Sequence, residues 1–143
     1  VDHAHSGAIL AYDILKEMGM DVKRRTEIMM AIGNHDEQTG TAVSDISAAL
    51  ILADKSDVHR DRVVNTNMST FDKHDKVNYA VTNAEFTIDK ETRKATLDLT
   101  IDTDICPVLD YFEIFMTRMI LCRKAAEKLG LQFKLIINEQ QLI

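Results

Sequence analysis

The chain has 143 residues, of which 45% are hydrophobic and 28% charged, and its formal net charge at pH 7 is -6. These proportions are typical of a soluble globular protein long enough to bury about two-thirds of the surface of its unfolded chain. The acidic balance makes nucleic acid an unlikely partner, and no apolar run reaches the ~20 residues of a transmembrane helix. With no signal-peptide pattern either, we expect a cytoplasmic protein with no membrane partner.

Three amphipathic helices are predicted in the first half of the chain. The first is expected over residues 7–18, with Ser6 as its N-cap. Its inner face is predicted from the apolar spacing: Ile9, Leu10, Ile14 and Met18. Asp21 is the expected cap of the second helix, which Gly33 ends, and Ser44 is the expected cap of the third.

The third helix carries a carboxylate in an unusual position. Its buried stripe is predicted from apolar residues at i, i+4 and i+7: Ile46, Leu50 and Ala53. Asp54 lies four residues beyond Leu50, on that same side. A carboxylate turned toward a core is costly unless it is paired, hydrogen-bonded or bound to a metal. His35, at the polar exit of the second helix, is the expected partner, since imidazole and carboxylate together suit a first-row metal ion.

A shift in composition divides the chain. Residues 65–70 are polar, residues 71–81 fit either a short helix or an extended crossing, and the apolar period becomes two from Ala84. Alternating residues predict three strands: Phe86 and Ile88, then Leu97, Leu99 and Ile101, then Phe133, Leu135 and Ile137. Residues 90–93 form the expected hairpin loop. We therefore predict a helical domain over residues 1–70 and a small α+β module over residues 71–143.

A long helix is predicted between the second and third strands. Pro107 suits its first turn and Gly130 ends it. Its apolar residues are spaced by threes and fours: Val108, Phe112, Phe115, Met119, Cys122, Ala126 and Leu129. This stripe could be the seam of a homodimer, but covering the module's own three-stranded sheet is the simpler use. Cys106 and Cys122 lack the C-x-x-C spacing and are expected as buried, reduced thiols.

Short motifs in the helical part carry a family resemblance. They are His3-xxx-Gly7-Ala8-Ile9-Leu10, then Asn34-His35-Asp36-Glu37-xx-Gly40, then Leu52-Ala53-Asp54. Together they resemble the later half of the HD superfamily of metal-dependent phosphohydrolases, and its HD-GYP-type members most closely. Asn34 stands where that pattern has the first histidine of a pair. The His-Asp dyad that names the family is expected upstream of Val1, and a chain that begins without Met is consistent with this expectation.

The resemblance implies an all-α HD-type core that binds a divalent metal ion, such as manganese, iron or magnesium. It implies His3, His35 and Asp54 as metal ligands, and Asp54 as a catalytic residue as well. His5 competes with His3, because in an alternative register His35-Asp36 is itself the dyad and His5 is the earlier histidine. His35 and Asp54 are ligands in both registers.

The implied activity is hydrolysis of a small phosphoester or a nucleotide, with metal-activated water as the nucleophile. Lys55 and Arg60 would neutralise charge on the phosphate, and Asn34, as a second catalytic residue, would orient a water or a non-bridging oxygen. Mixed charge in this segment is equally typical of a solvated helix face.

Two other classes of function remain open. Because Asn34 occupies a ligand position, the chain could be a catalytically degenerate HD domain that serves as a ligand-sensing or protein-interaction module. An RNA-binding module is disfavoured by the acidic charge and the few aromatic residues.

Overall fold

The computed structural model describes residues 2–65 and 67–142. This part of the chain contains five α-helices: α1 (His3–Glu17), α2 (Val22–Gly33), α3 (Asp45–Ser56), α4 (Lys73–Ala80) and α5 (Val108–Lys128). It also contains one mixed sheet of four strands: β1 (Val81–Asp89), β2 (Lys94–Ile101), β3 (Gln132–Ile137) and β4 (Gln140–Gln141). The fold is therefore mixed α/β. None of the helices in the described ranges is long and apolar enough to cross a membrane.

Side-chain caps fix where the first three helices begin. Asp21 and Ser44 cap α2 and α3, because their side-chain oxygens accept backbone N–H groups of the first turn, as predicted. The first helix begins earlier than predicted. Its cap is Asp2, whose carboxylate accepts the backbone N–H of His5, so Ser6 lies inside the helix.

The predicted inner face of α1 is wrong. The large side chains expected there are 56–74% exposed: Ile9, Leu10, Ile14 and Met18. Small residues face α2 instead, since Ala4 and Ala8 are buried and Gly33 lies against Ala8. Small side chains let two helices approach closely, so the contact between α1 and α2 is made by the residues that carry the weakest hydrophobic signal.

The predicted stripe of α3 is also wrong in phase. Ile46 is 48% exposed, and neither Leu50 nor Ala53 is buried. The residues that the helix buries are Ser47, Ala48, Ile51, Leu52 and Lys55. This face packs against α2 and α5. A lysine therefore belongs to the buried face, while Asp54 lies at its margin.

The sheet contains the predicted hairpin and one strand more than predicted. β1 and β2 are antiparallel around residues 90–93, with Phe86 opposite Leu97. β3 runs parallel to β2 and places Leu135 beside Leu97. The fourth strand, β4, pairs antiparallel with β3. It consists of two glutamines, so it has no apolar alternation from which it could be predicted.

The long helix α5 packs against both α3 and the sheet. Its buried face consists of Tyr111, Phe115, Met119, Leu121, Cys122, Ala125 and Ala126. Leu97 and Leu135 are fully buried in the core, and Phe86 and Phe112 pack against it, which confirms that these strands and this helix share one core. Ile51 of α3 belongs to the same cluster. The helical part and the sheet layer are thus joined by a continuous core. Residues 1 and 143, the outer bounds of the two predicted domains, lie outside the described residues.

The two cysteines are buried and free, as predicted. Burial raises the pKa of the Cys122 thiol to about 12. Burial also raises the pKa of Cys106, and the nearby Asp110 carboxylate adds to the effect. Because the thiolate is the reactive form, neither cysteine is a nucleophile near neutral pH.

Candidate functional site

One cavity of about 320 Å³ lies where α1, the end of α2, α3 and α5 come together. Its wall carries two imidazoles, three carboxylates and three cationic side chains: His3, His35, Asp36, Glu37, Asp54, Lys55, Arg62 and Arg118. Of the residues that the sequence singled out, His3, His35, Asp54 and Lys55 therefore face the same cavity. The side chains of His35 and Asp54 do share one cleft.

His35 is held by a hydrogen bond to the end of α2. Its Nδ1 lies 2.5 Å from the Ile32 carbonyl oxygen. Because a carbonyl can only accept, Nδ1 carries a proton, and in the neutral form of the ring the lone pair is therefore on Nε2. The His3 ring packs edge-on against His35, with 5.1 Å between ring centroids. The pair thus presents one defined imidazole acceptor beside a second imidazole.

The loop after α2 depends on Gly40. A Cβ at this position would lie 2.3 Å from the Asn34 carbonyl oxygen and 2.4 Å from that of Asp36, so only glycine fits. The Gly40 N–H also donates to the Asp36 carbonyl at 2.7 Å. This close turn fixes the segment that carries Asp36 and Glu37 on the cavity wall.

The centre of the wall is an ion-pair network around Lys55. The Lys55 side chain is only 6% exposed, and its Nζ lies 2.6 Å from Asp54 Oδ2 and 2.7 Å from Glu37 Oε2. A buried ammonium is costly without such partners. Lys55 is therefore the residue that holds Glu37 and Asp54 next to each other, one from the loop after α2 and one from α3.

The network shifts the pKa values of its members in the directions expected of an ion pair. Burial alone would raise the pKa of Glu37, but the Lys55 hydrogen bond and the positive charges of Lys55 and Arg118 outweigh it and bring this pKa to about 2. Burial alone would lower the pKa of Lys55. The hydrogen bonds to Asp54 and Glu37 outweigh burial again, and the pKa is raised. Both groups are therefore charged near neutral pH.

The low pKa of Glu37 predicts a loss of stability in acid. The carboxylate has a lower pKa in the folded state than its ordinary value of 4.5, so its contribution is complete above pH 4.5 and disappears as the pH falls toward 2. We expect the contribution of Glu37 to the free energy of unfolding to be about 2 kcal/mol. This is less than the whole pKa difference would give at about 1.36 kcal/mol per pKa unit, because solvent screens a side chain that is 31% exposed.

This prediction is checked by urea unfolding of wild type and Glu37→Gln between pH 7 and pH 2.5. The Gln variant should be less stable than wild type at pH 7 and should approach it in acid. Glu85→Gln, at an exposed position on β1, is the matched control. A constant difference between Glu37→Gln and wild type across this pH range would contradict the assignment.

Two arginines complete the cationic side of the cavity. Arg62 donates from Nη1 to the Asp57 carbonyl at 2.8 Å and to Asp57 Oδ2 at 3.1 Å. Arg118 reaches the cavity from α5, where its guanidinium carbon lies 4.6 Å from the centre of the Phe115 ring. Its Nη2 lies 3.6 Å from Glu37 Oε1.

Three residues considered from the sequence do not line this cavity. The Asn34 amide donates to the Met30 carbonyl at 2.8 Å and faces a second, more apolar cavity. His5 lines that second cavity as well, with Nδ1 2.6 Å from Asp2 Oδ2, so the structure favours His3 over His5. The Arg60 guanidinium stacks 4.9 Å from the centre of the Tyr79 ring. Arg62 and Arg118 line the cavity where Arg60 was expected.

The residues present do not by themselves fit the metal site that the resemblance implies. Over residues 2–65 and 67–142, no group of three or more His, Cys, Asp or Glu side chains is arranged so that it could hold a metal ion. The chemistry of the donors is suitable, since two imidazoles and three carboxylates line the cavity. However, the Lys55 ammonium already lies between Asp54 and Glu37, where it forms an ion pair with each of them.

Sequence reasoning missed Arg118 and the pairing role of Glu37. The sequence does indicate that Arg118 is turned toward the core. Phe115, Arg118 and Cys122 have the spacing i, i+3 and i+7, which places Arg118 on the apolar face of the long helix. A charged residue at such a position needs a buried partner. No local pattern indicates that this partner is Glu37, which is distant in sequence.

Comparison of the chain with models of protein families, with curated proteins and with solved structures finds no match in any of the three. The resemblance to the HD superfamily rests on the short motifs alone. The candidate site is defined by its own geometry.

Proposed function

We propose that the chain is a metal-dependent phosphohydrolase that acts on a small phosphoester or a nucleotide in the cavity between α1, α3 and α5. The observation that supports this proposal best is the shared cavity itself. It combines the three expected ligand residues, His3, His35 and Asp54, with cationic side chains suited to phosphate. Two free, buried cysteines suit a reducing compartment, so we place the enzyme in the cytoplasm.

The chain's own residues supply much of what phosphoester hydrolysis requires. Arg118 brings positive charge to the phosphate and Lys55 adds to it from its ion pairs with Asp54 and Glu37, since a developing negative charge is stabilised best by cations held in advance of the reaction. The Nε2 lone pair of His35 can accept a proton from water or hold a ligand. The divalent ion would need donors beyond those that the described residues bring together.

A second candidate is favoured by the same network. The Lys55 ammonium satisfies Asp54 and Glu37 in the way that a bound cation would, and Asn34 turns away from the cavity. These two observations support a degenerate HD domain that binds a phosphorylated ligand as a sensor, without hydrolysis.

Metal-dependent hydrolysis of an aryl phosphate separates the two candidates. The release of p-nitrophenol from p-nitrophenyl phosphate and from its bis-ester is measured on the protein as cells make it, with and without Mn²⁺. The phosphohydrolase proposal expects hydrolysis that begins with Mn²⁺ and stops with EDTA. A protein that stays inert with Mn²⁺, Fe²⁺ and Mg²⁺ and retains no metal would favour the sensor.

A further inference from the structure

Arg118 differs from the other residues of the cavity in where it comes from. It lies on α5, in the second half of the chain, beyond the segment that resembles the HD superfamily. Its side chain is 16% exposed and faces the same cavity as Lys55 and His35. The candidate site is therefore not built by the helical part alone.

The three cations of the cavity differ in how well they are already paired. Lys55 is bound by two carboxylates within 2.7 Å, and Arg62 donates twice to Asp57. In the part of the chain that the structure describes, the one ion pair of Arg118 is the 3.6 Å contact with Glu37, which is longer than a hydrogen bond. Its Nε is buried and has no hydrogen-bond partner among the described residues. A buried, unpaired guanidinium N–H is unfavourable unless a ligand or water satisfies it.

We propose that Arg118 binds the phosphate group of the ligand in this cavity, so that α5 supplies the main anion-binding residue. This inference rests on the proposed function in one respect, which is that the cavity takes a phosphorylated compound. A guanidinium presents several N–H donors in a planar fork that matches two oxygens of one phosphate. The guanidinium carbon of Arg118 lies 4.6 Å from the centre of the Phe115 ring, a cation–π contact that helps to hold the side chain in the cavity.

The charge of the cavity wall supports the same assignment. Three carboxylates and three cations balance when the imidazoles are neutral, so the wall has no excess positive charge to attract a phosphate. Binding then requires a cation that can leave its present partner at little cost. Arg118, with its long contact to Glu37, meets this condition better than Lys55.

The test measures the affinity for inorganic phosphate by isothermal titration calorimetry at constant ionic strength. Arg118→Met should weaken binding by about 10-fold or more, because charge-assisted hydrogen bonds are lost. Arg118→Lys keeps the charge but not the fork and should weaken binding by about 3-fold. Arg123→Met removes an exposed arginine of the same helix and should leave the affinity unchanged. Thermal unfolding shows whether each variant is folded. If Arg118→Met does not fold, the phosphate affinity of Arg118→Lys is the test.

Wild-type affinity in a folded Arg118→Lys or Arg118→Met variant would overturn the inference, and so would the absence of phosphate binding by wild type at millimolar concentration. The inference and the hydrolase proposal fail separately. Arg118-dependent phosphate binding without hydrolysis of any aryl phosphate would support the inference and refute the hydrolase. Hydrolysis whose KM does not change in Arg118→Met would overturn the role of Arg118 and leave the hydrolase in place.

Discussion

Replacing Lys55 with methionine should lower the free energy of unfolding by about 3 kcal/mol at pH 7. The substitution keeps the apolar stem and removes the ammonium that lies between Asp54 and Glu37. Breaking a buried ion pair by removing one partner costs roughly 3–5 kcal/mol, because an uncompensated charge is left behind. We expect the lower end of this range, since both carboxylates are about one-third exposed and stay partly hydrated.

Urea unfolding of four variants checks this expectation: Lys55→Met, Glu37→Gln, the double variant of the two, and Lys124→Met. Lys124→Met removes an exposed lysine of α5 and should change the stability by less than about 0.5 kcal/mol. Combining Lys55→Met with Glu37→Gln should cost less than the sum of the two single changes, because the double variant leaves fewer unpaired charges in the site. Additive effects, or a Lys55→Met variant as stable as wild type, would show that the network contributes little to folding.

The starts of α2 and α3 and the hairpin could be predicted because each depends on local chemistry. Asp21 and Ser44 are caps that bond to the next turn of their own helix, and the turn at residues 90–93 follows from alternation on both sides. The faces of α1 and α3 could not be predicted in this way. They depend on which neighbour each helix meets, and α1 meets α2 through Ala4 and Ala8 rather than through Ile9 or Leu10.

The candidate site could be predicted only in part, because some of its residues are linked by local motifs and others by contacts between distant elements. The motif spacing singled out His35, Asp54 and Lys55, which the structure brings into one cavity. The predicted phase of α3 was wrong at Asp54, since the buried residue is Lys55 and the Asp54 side chain is 36% exposed. The contribution of Arg118 depends on the packing of α5 against α3, a contact between distant parts of the chain that no local spacing encodes.

Replacing Asp54 with asparagine should abolish most of the hydrolytic activity and leave the protein folded. The side chain keeps its shape, and its amide oxygen can still accept a hydrogen bond from Lys55. What it loses is the negative charge that the resemblance assigns to a metal ligand. Removal of one preorganised group that stabilises the transition state lowers the rate by roughly 10²–10³-fold, so we expect a loss of at least about 10²-fold in kcat/KM.

Asp45→Asn is the matched control for this substitution. Asp45 lies in the first turn of the same helix α3, is exposed and does not line the cavity. Its replacement removes one favourable contact with the helix dipole, worth less than about 1 kcal/mol, and should leave hydrolysis unchanged.

The most direct test of the proposed site is therefore the Mn²⁺-dependent kcat/KM for p-nitrophenyl phosphate of Asp54→Asn, measured beside wild type and Asp45→Asn. The proposal predicts active wild type, active Asp45→Asn, and an Asp54→Asn variant that is folded but at least about 10²-fold less active. Undiminished hydrolysis by Asp54→Asn would contradict the proposal, because the cavity that contains Asp54 would then not be the site of the reaction.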